Sequence, residues 1–139
     1  MAKSGVTYVN PPSAPPAQGL YSHVARMQPG EIAFIAGQVA IDAKGTPVGV
    51  GDLSAQVTVV FDNMGQILED LGTNFESVVQ FTTYLTKAEH LPIWMSARAA
   101  LFPKLFPGGM YPPNTLLVID RLVKPEFLLE VEAIVRVPG

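Results

Sequence analysis

The chain contains no cysteine in its 139 residues. Disulfide staples, thiol chemistry and cysteine-ligated zinc are therefore excluded. A chain of this length buries roughly two thirds of its surface on folding and needs no such staple. Histidine is nearly as scarce. His23 and His90 lie far apart, and neither has Asp, Glu or His at ligand spacing, so no metal site is expected. Charge is thin as well: only 15% of residues are charged, against about 25% in ordinary globular chains. The nine Lys and Arg are scattered among twelve Asp and Glu, for a net charge of −3. No basic stripe could track a phosphate backbone, so a nucleic-acid partner is not expected. No apolar run approaches the roughly 20 residues of a membrane span. The opening Met1-Ala2-Lys3-Ser4-Gly5 has no apolar leader core, which makes a cytoplasmic location the expectation. There is no Ser/His/Asp set, P-loop or dinucleotide fingerprint. Gly49-Val50-Gly51 is too short for the last of these.

What is present is apolar. Hydrophobic residues make up 48% of the chain, and with so few charges some of the surface is expected to lie under a partner, a second copy being the economical one. The length fits one domain, residues 1–139. Four prolines in Asn10-Pro11-Pro12-Ser13-Ala14-Pro15-Pro16 exclude helix and central strand there, so residues 1–18 read as an extended arm. A short strand at Thr7–Val9 is an option within it. From Tyr21 to Met27 apolar and polar residues alternate, and Ile32–Ile41 is almost wholly apolar. The Pro29-Gly30 turn signal between them suggests a hairpin. Val57, Val60, Phe61, Met64, Ile67, Leu68 and Leu71 share one helical face. Asp52 or Ser54 suits the start of that helix and Gly72 its stop. Val78–Leu85 reads as a strand. A second helix is expected over Leu91–Leu101, with Trp94, Ala97 and Leu101 inward and Pro103 ending or kinking it. Strands follow at Asn114–Leu122 and Phe127–Val137. In the last, Leu129, Val131, Ala133, Val135 and Val137 face one way, and Leu128, Glu130, Glu132, Ile134 and Arg136 the other. The order ββ-α-β-α-ββ implies an α+β sandwich with both helices on one sheet face.

Five positions carry chemistry. Glu130 and Glu132 stand about 7 Å apart on one strand face. If water covers that face they merely solubilise it. If another subunit covers it, desolvation raises a carboxylate's pKa toward the range useful to a general base or acid. Gly37, inside an apolar strand, marks either a bulge or a close backbone approach. Tyr21 offers either aromatic packing or a pocket hydroxyl. Asn114, after two prolines, is either a turn residue or a binding group.

Taken together, Pro15-Pro16-Ala17-Gln18-Gly19-Leu20-Tyr21-Ser22, Ile35-Ala36-Gly37-Gln38-Val39, Val60-Phe61-Asp62-Asn63-Met64, Val78–Leu85 and Leu129-Glu130-Val131-Glu132-Ala133-Ile134 resemble the RidA/YjgF (Rid) family over nearly the whole chain. The resemblance implies a chorismate-mutase-like fold: a mixed six-stranded sheet with two helices on one face. It also implies a homotrimer with an inner barrel and small-molecule clefts between subunits. Many members hydrolyse enamines and imines, such as 2-aminoacrylate, to 2-oxo acids and ammonia without a cofactor. By resemblance Glu130 takes the catalytic role, and Tyr21, Gly37, Asn114 and Leu116 surround the substrate.

The chain departs from the pattern at two places. Members active on 2-imino acids carry Pro-Ala-Arg-(Ser/Thr), whose Arg clamps the substrate carboxylate. Here the segment is Pro112-Pro113-Asn114-Thr115, and neutral Asn114 cannot form that pair. Ala36 replaces a hydroxyl residue. Losing the charge-assisted pair costs about 2–5 kcal/mol of binding in a buried site, so weak or absent activity on small 2-imino acids is expected. Arg98 and Arg121 are the candidates to take over that role, although neither occupies the matching position. Two readings result: an imine/enamine hydrolase with altered substrate preference, or a trimer that binds a small metabolite without catalysis.

Overall fold

The computed structural model describes residues 4–138. Six strands and two long helices form, in the order β1 (Val6–Val9), β2 (Val24–Met27), β3 (Glu31–Gln38), α1 (Leu53–Asp70), β4 (Val78–Leu85), α2 (Leu91–Leu105), β5 (Asn114–Val118) and β6 (Leu129–Val137). The strands divide into a two-stranded sheet, β1-β2, and a four-stranded mixed sheet ordered β3-β6-β4-β5. The single six-stranded sheet of the sequence reading is thus split in two. The hairpin at Pro29-Gly30 does not form either, because β2 pairs antiparallel with β1 and β3 pairs antiparallel with β6.

Arg136 supplies the physical reason. Its guanidinium donates to the Gln28 carbonyl at 3.1 Å, the Pro29 carbonyl at 3.0 Å and the Ser4 carbonyl at 3.0 Å. Those bonds pin the chain as it leaves β2, and Gly5 and Gly30 lie flat against the same guanidinium, with no room for a Cβ. The strand Val6–Val9 falls inside the stretch expected to be an extended arm; Met1–Lys3, the arm's first residues, lie outside the described residues. The Tyr8 hydroxyl joins this small sheet to the large one through a 2.7 Å bond to the Val78 carbonyl.

β6 takes the centre of the large sheet because its apolar face is continuous. Leu129, Val131, Ala133 and Val135 are all buried. Both β3 and β4 run antiparallel to it, and β4 reaches parallel β5 through α2. α1 starts at Asp52, whose side chain accepts from the Ala55 amide. It ends before Gly72, where a φ of 76° suits glycine. Its Val57, Val60, Phe61, Met64 and Leu68 are buried. α2 runs on to Leu105 through Pro103 rather than stopping at Leu101. A proline so near the C-terminus forfeits a single backbone bond in a helix about to end. The fully buried stripe of α2 is Trp94, Arg98 and Phe102; of the expected inward residues Trp94 is buried, and Ala97 and Leu101 flank it, partly buried against the core. Phe61 and Phe102 knit the helices to the sheet. Phe61 packs on Phe81 at 5.8 Å and Phe102 at 5.6 Å between ring centroids, and Phe102 on Phe81 at 5.9 Å.

Candidate functional site

With both helices on the Val131/Ala133 side, the opposite face of the large sheet is left open. Strand alternation brings Glu130 and Glu132 onto it, across from Tyr84 and Thr82. Leu128, expected beside them, is instead buried in the core, since it precedes the first paired residue of β6. Ile32 at 45% and Phe34 at 77% exposure, together with Leu117 at 41%, make this face apolar. A depression of about 380 Å³ lies there, lined by Phe34, Ala36, Gln80, Thr82, Glu132 and Ile134 among others.

The two glutamates differ in what they touch. Glu132 accepts a 2.9 Å bond from the Tyr84 hydroxyl, which raises the Tyr84 pKa above its ordinary value. Glu130 has no hydrogen-bond partner among the described residues, and its carboxyl is held above the usual carboxylate range, first by burial and then by the charge of Glu132. The desolvated, acceptor-rich group is therefore Glu130.

Gly37 explains the seat of that carboxyl. Between Ile35↔Ala133 and Gln38↔Val131, β3 advances by one residue more than β6. This is a bulge, as one of the two sequence alternatives had it. The close approach exists too, but to a side chain: a Cβ at Gly37 would sit 2.5 Å from Glu130 Cδ and 2.8 Å from Cγ, and would collide with Oε2. Only glycine leaves Glu130 this position.

Asn114 and Leu116 lie elsewhere. They register with Phe81 and Thr83 on β4, residues of the helix-covered face. Asn114 Oδ1 accepts from the Thr83 hydroxyl at 3.0 Å, and its Nδ2 is buried without a partner. Leu116 packs against the core. Within one chain, Asn114 and Glu130 thus sit on opposite faces of the sheet. Tyr21 forms a third locus. Its hydroxyl accepts from the Gln18 amide at 3.1 Å, its ring meets His23 edge-on at 5.9 Å, and it neighbours Arg98.

The family described as Endoribonuclease L-PSP matches residues 11–137. The RutC family protein PH0854 of Pyrococcus horikoshii is 32% identical over 122 residues, 88% of this chain and 90% of its own. A crystal structure of the Rid-family protein YyfB from Yersinia pestis superposes with a TM-score of 0.84 at 31% identity, covering 95% of this chain and 98% of that one. The Escherichia coli YjgF gene product, at 23% identity and a TM-score of 0.67 over 94% and 98%, shares the fold.

The chain belongs to the Rid family.

Its fold is accordingly the α+β one that the sequence pattern suggested, and the chorismate-mutase-like one that the resemblance implied, with two helices packed on a mixed sheet. No described helix is long and apolar enough to cross a membrane. Among the described residues no group of three His, Cys, Asp or Glu is placed to hold a metal.

Three features of this Rid chain escaped the sequence reading. The Tyr84–Glu132 bond depends on strand register, which spacing along the chain does not reveal. Gln56 is fully buried. It donates to the Gly49 and Glu126 carbonyls at 3.2 and 2.8 Å and accepts from the Leu128 amide at 2.9 Å. Its place one turn before Val60 was the available signal. Arg98 was named as a candidate anion-binding group, but its burial was missed: it stands one turn after Trp94 and one before Phe102, and being charged it was left off the inward stripe.

Proposed function

We propose that this Rid protein hydrolyses imines or enamines whose recognition differs from that of small 2-imino acids, at clefts between the subunits of a homotrimer. The carrying observation is Glu130: a carboxyl without a hydrogen-bond partner among the described residues, packed on Gly37, with a raised pKa. In its ionised form Glu130 takes a proton from water as the oxygen adds to the imine carbon. The resulting carbinolamine collapses, the proton passes to nitrogen, and ammonia leaves as the carbonyl forms. The overall change is C=NH plus water to C=O plus ammonia, and no cofactor enters it.

The assembly is supported by two observations. The Ile32/Phe34/Leu117 face exposes apolar side chains that a second copy would cover. Asn114 and Glu130 occupy opposite faces of one sheet, so a site using both must draw them from two copies. Tyr21 and Asn114 would bind substrate by neutral hydrogen bonds, and Leu116 would line the same cleft. The acidic balance, net charge −3, does not favour an RNA substrate.

Ammonia release from a panel of enzymatically generated imines, with and without carboxylates, tests the reading, with Glu130→Gln as control. Release that falls at least a hundredfold in Glu130→Gln is expected. No release from any member at high enzyme concentration would refute hydrolysis. The second reading, a metabolite-binding trimer without catalysis, is favoured by Asn114, which offers no charge where the active members carry arginine. An unchanged residual rate in Glu130→Gln would support it.

A further inference from the structure

All the orphaned buried polar atoms among the described side chains are nitrogens. They are His90 Nδ1, Trp94 Nε1, Arg98 Nε and Asn114 Nδ2. Three of the four follow one another at four-residue spacing, His90 just before α2 and Trp94 and Arg98 within it, which places them on one stripe. Trp94 Nε1, Arg98 Nε and Asn114 Nδ2 can only donate. This side of the molecule therefore lacks acceptors rather than donors.

Arg98 is the charged member. It is 5% exposed, and its guanidinium lies 5.8 Å over the Trp94 ring. No carboxylate of the described residues is among the groups that bear on it; burial lowers its pKa, and Tyr21 is the neighbour that opposes this. Its Nη2 reaches the Met95 thioether at 3.1 Å, a weak acceptor for a charged donor. Two other arginines, neither of them buried, differ. Arg136 spends three donors on backbone carbonyls, and Arg121 two, on Leu122 and Val123. A buried guanidinium without a counter-charge is costly and calls for an anion.

The surroundings admit one. Met95 is 41% exposed, so the guanidinium lies one side chain beneath the surface. On its other side it lies against Gly19, where a Cβ would stand 2.6 Å from Nη2 and 4.0 Å from the Tyr21 ring. The glycine lets the Gln18–Tyr21 turn close onto the charge and sets Tyr21 beside it.

We propose that Arg98 is the anion-recognising residue of this chain, taking an oxyanion of the ligand, carboxylate or phosphate, at the corner formed by Gly19, Tyr21 and Met95. The inference deepens the reading of a small-molecule cleft and rests on Tyr21 lining it. It moves the positive charge from the strand position held by Asn114 to helix α2. A ligand oxygen displaces the thioether of Met95 from Nη2 and supplies the acceptor that Nε lacks.

The test uses the full-length protein with three probes: 2-oxobutanoate, its uncharged methyl ester, and inorganic phosphate. The Arg98 Nε–H resonance is identified in proton–nitrogen spectra by its loss in Arg98→Lys. The expected result is that 2-oxobutanoate moves this resonance and binds at least tenfold more tightly than the ester, the scale of one hydrogen bond to a charged group. In Arg98→Met the acid falls to the affinity of the ester, while the ester itself is unchanged. Phosphate moving the resonance as strongly as the acid identifies a general oxyanion site; phosphate without effect identifies a carboxylate site. Equal binding of acid and ester, no binding of the acid, a silent resonance, or an acid preference that survives in Arg98→Met would each overturn the proposal. A silent resonance is also what water-satisfied donors predict. The spectrum of the unmodified protein decides the matter even where Arg98→Met fails to fold. The two readings fail separately. Binding discrimination without ammonia release leaves Arg98 standing and removes hydrolysis, and ammonia release with acid preference intact in Arg98→Met does the reverse.

Discussion

Replacing Gly37 with alanine separates the stability of this fold from the chemistry of its open face. The added Cβ would lie 2.5 Å from Glu130 Cδ and 2.8 Å from Cγ, where ordinary carbon contacts stand at about 3.5–4.0 Å. The carboxyl must therefore retreat by roughly 1 Å or swing to another rotamer, at a cost of about 0.5–1.5 kcal/mol if it is left off-rotamer. Against that, Gly37 is not among the glycines with positive φ, so alanine restricts the unfolded chain and returns about 0.4–1 kcal/mol. The two terms nearly cancel, and the melting temperature should move by only a few degrees. Catalysis should respond quite differently. Misplacing a reacting group by 1 Å costs on the order of a hundredfold, so ammonia release should fall by about that factor in a protein that remains folded. Carbon-detected titration of Glu130 gives a reading independent of turnover: its raised pKa should return toward the ordinary carboxylate value as the group swings into water. If Gly37→Ala keeps both the rate within twofold and the elevated pKa, the packing of Gly37 on Glu130 is not what sets that carboxyl.

Three further outcomes are expected. Glu130 has a folded-state pKa above its unfolded value, so its stabilising contribution is present below the ordinary carboxylate range and is lost as pH rises through the raised value. Glu130→Gln should accordingly melt higher than the parent at neutral pH, with the gap closing below about pH 4, as a melting series across pH would show. Gln56→Leu strips hydrogen bonds from the Gly49, Glu126 and Leu128 backbone groups. It should lower unfolding free energy by about 2–4 kcal/mol, read from the urea midpoint. Phe34→Glu puts a charge at a side chain 77% exposed in one chain. It should leave a folded protein of lower mass in light scattering, and an unchanged mass would show that this face is not an assembly surface.

Periodicity alone was enough to place α1 and β6. The apolar stripe from Val57 to Leu71 gives a helix wherever it is put, because 3.6-residue spacing has only one way to bury that face. The strict alternation from Leu129 to Val137 likewise assigned Glu130 and Glu132 to one side and Val131 and Ala133 to the other, as the structure bears out. Family membership was legible for a similar reason: the segments around Tyr21, Gly37 and Glu130 recur in order. Partnership was not legible. That β2 joins β1, and that β3 reaches β6 at the far end of the chain, depends on which edges meet in three dimensions and on Arg136 binding the Gln28 and Pro29 carbonyls. Local sequence carries no record of either. The site followed the same division. Residue type nominated Glu130 and Gly37 separately, but only the bulge and the cross-strand register showed that the glycine exists to seat the carboxyl. The burial of Gln56 was hidden because a polar residue on an apolar stripe is costly unless it finds partners, and partners are a property of the tertiary structure alone; Arg98 was named from the sequence, but its burial without a counter-charge is likewise a tertiary fact.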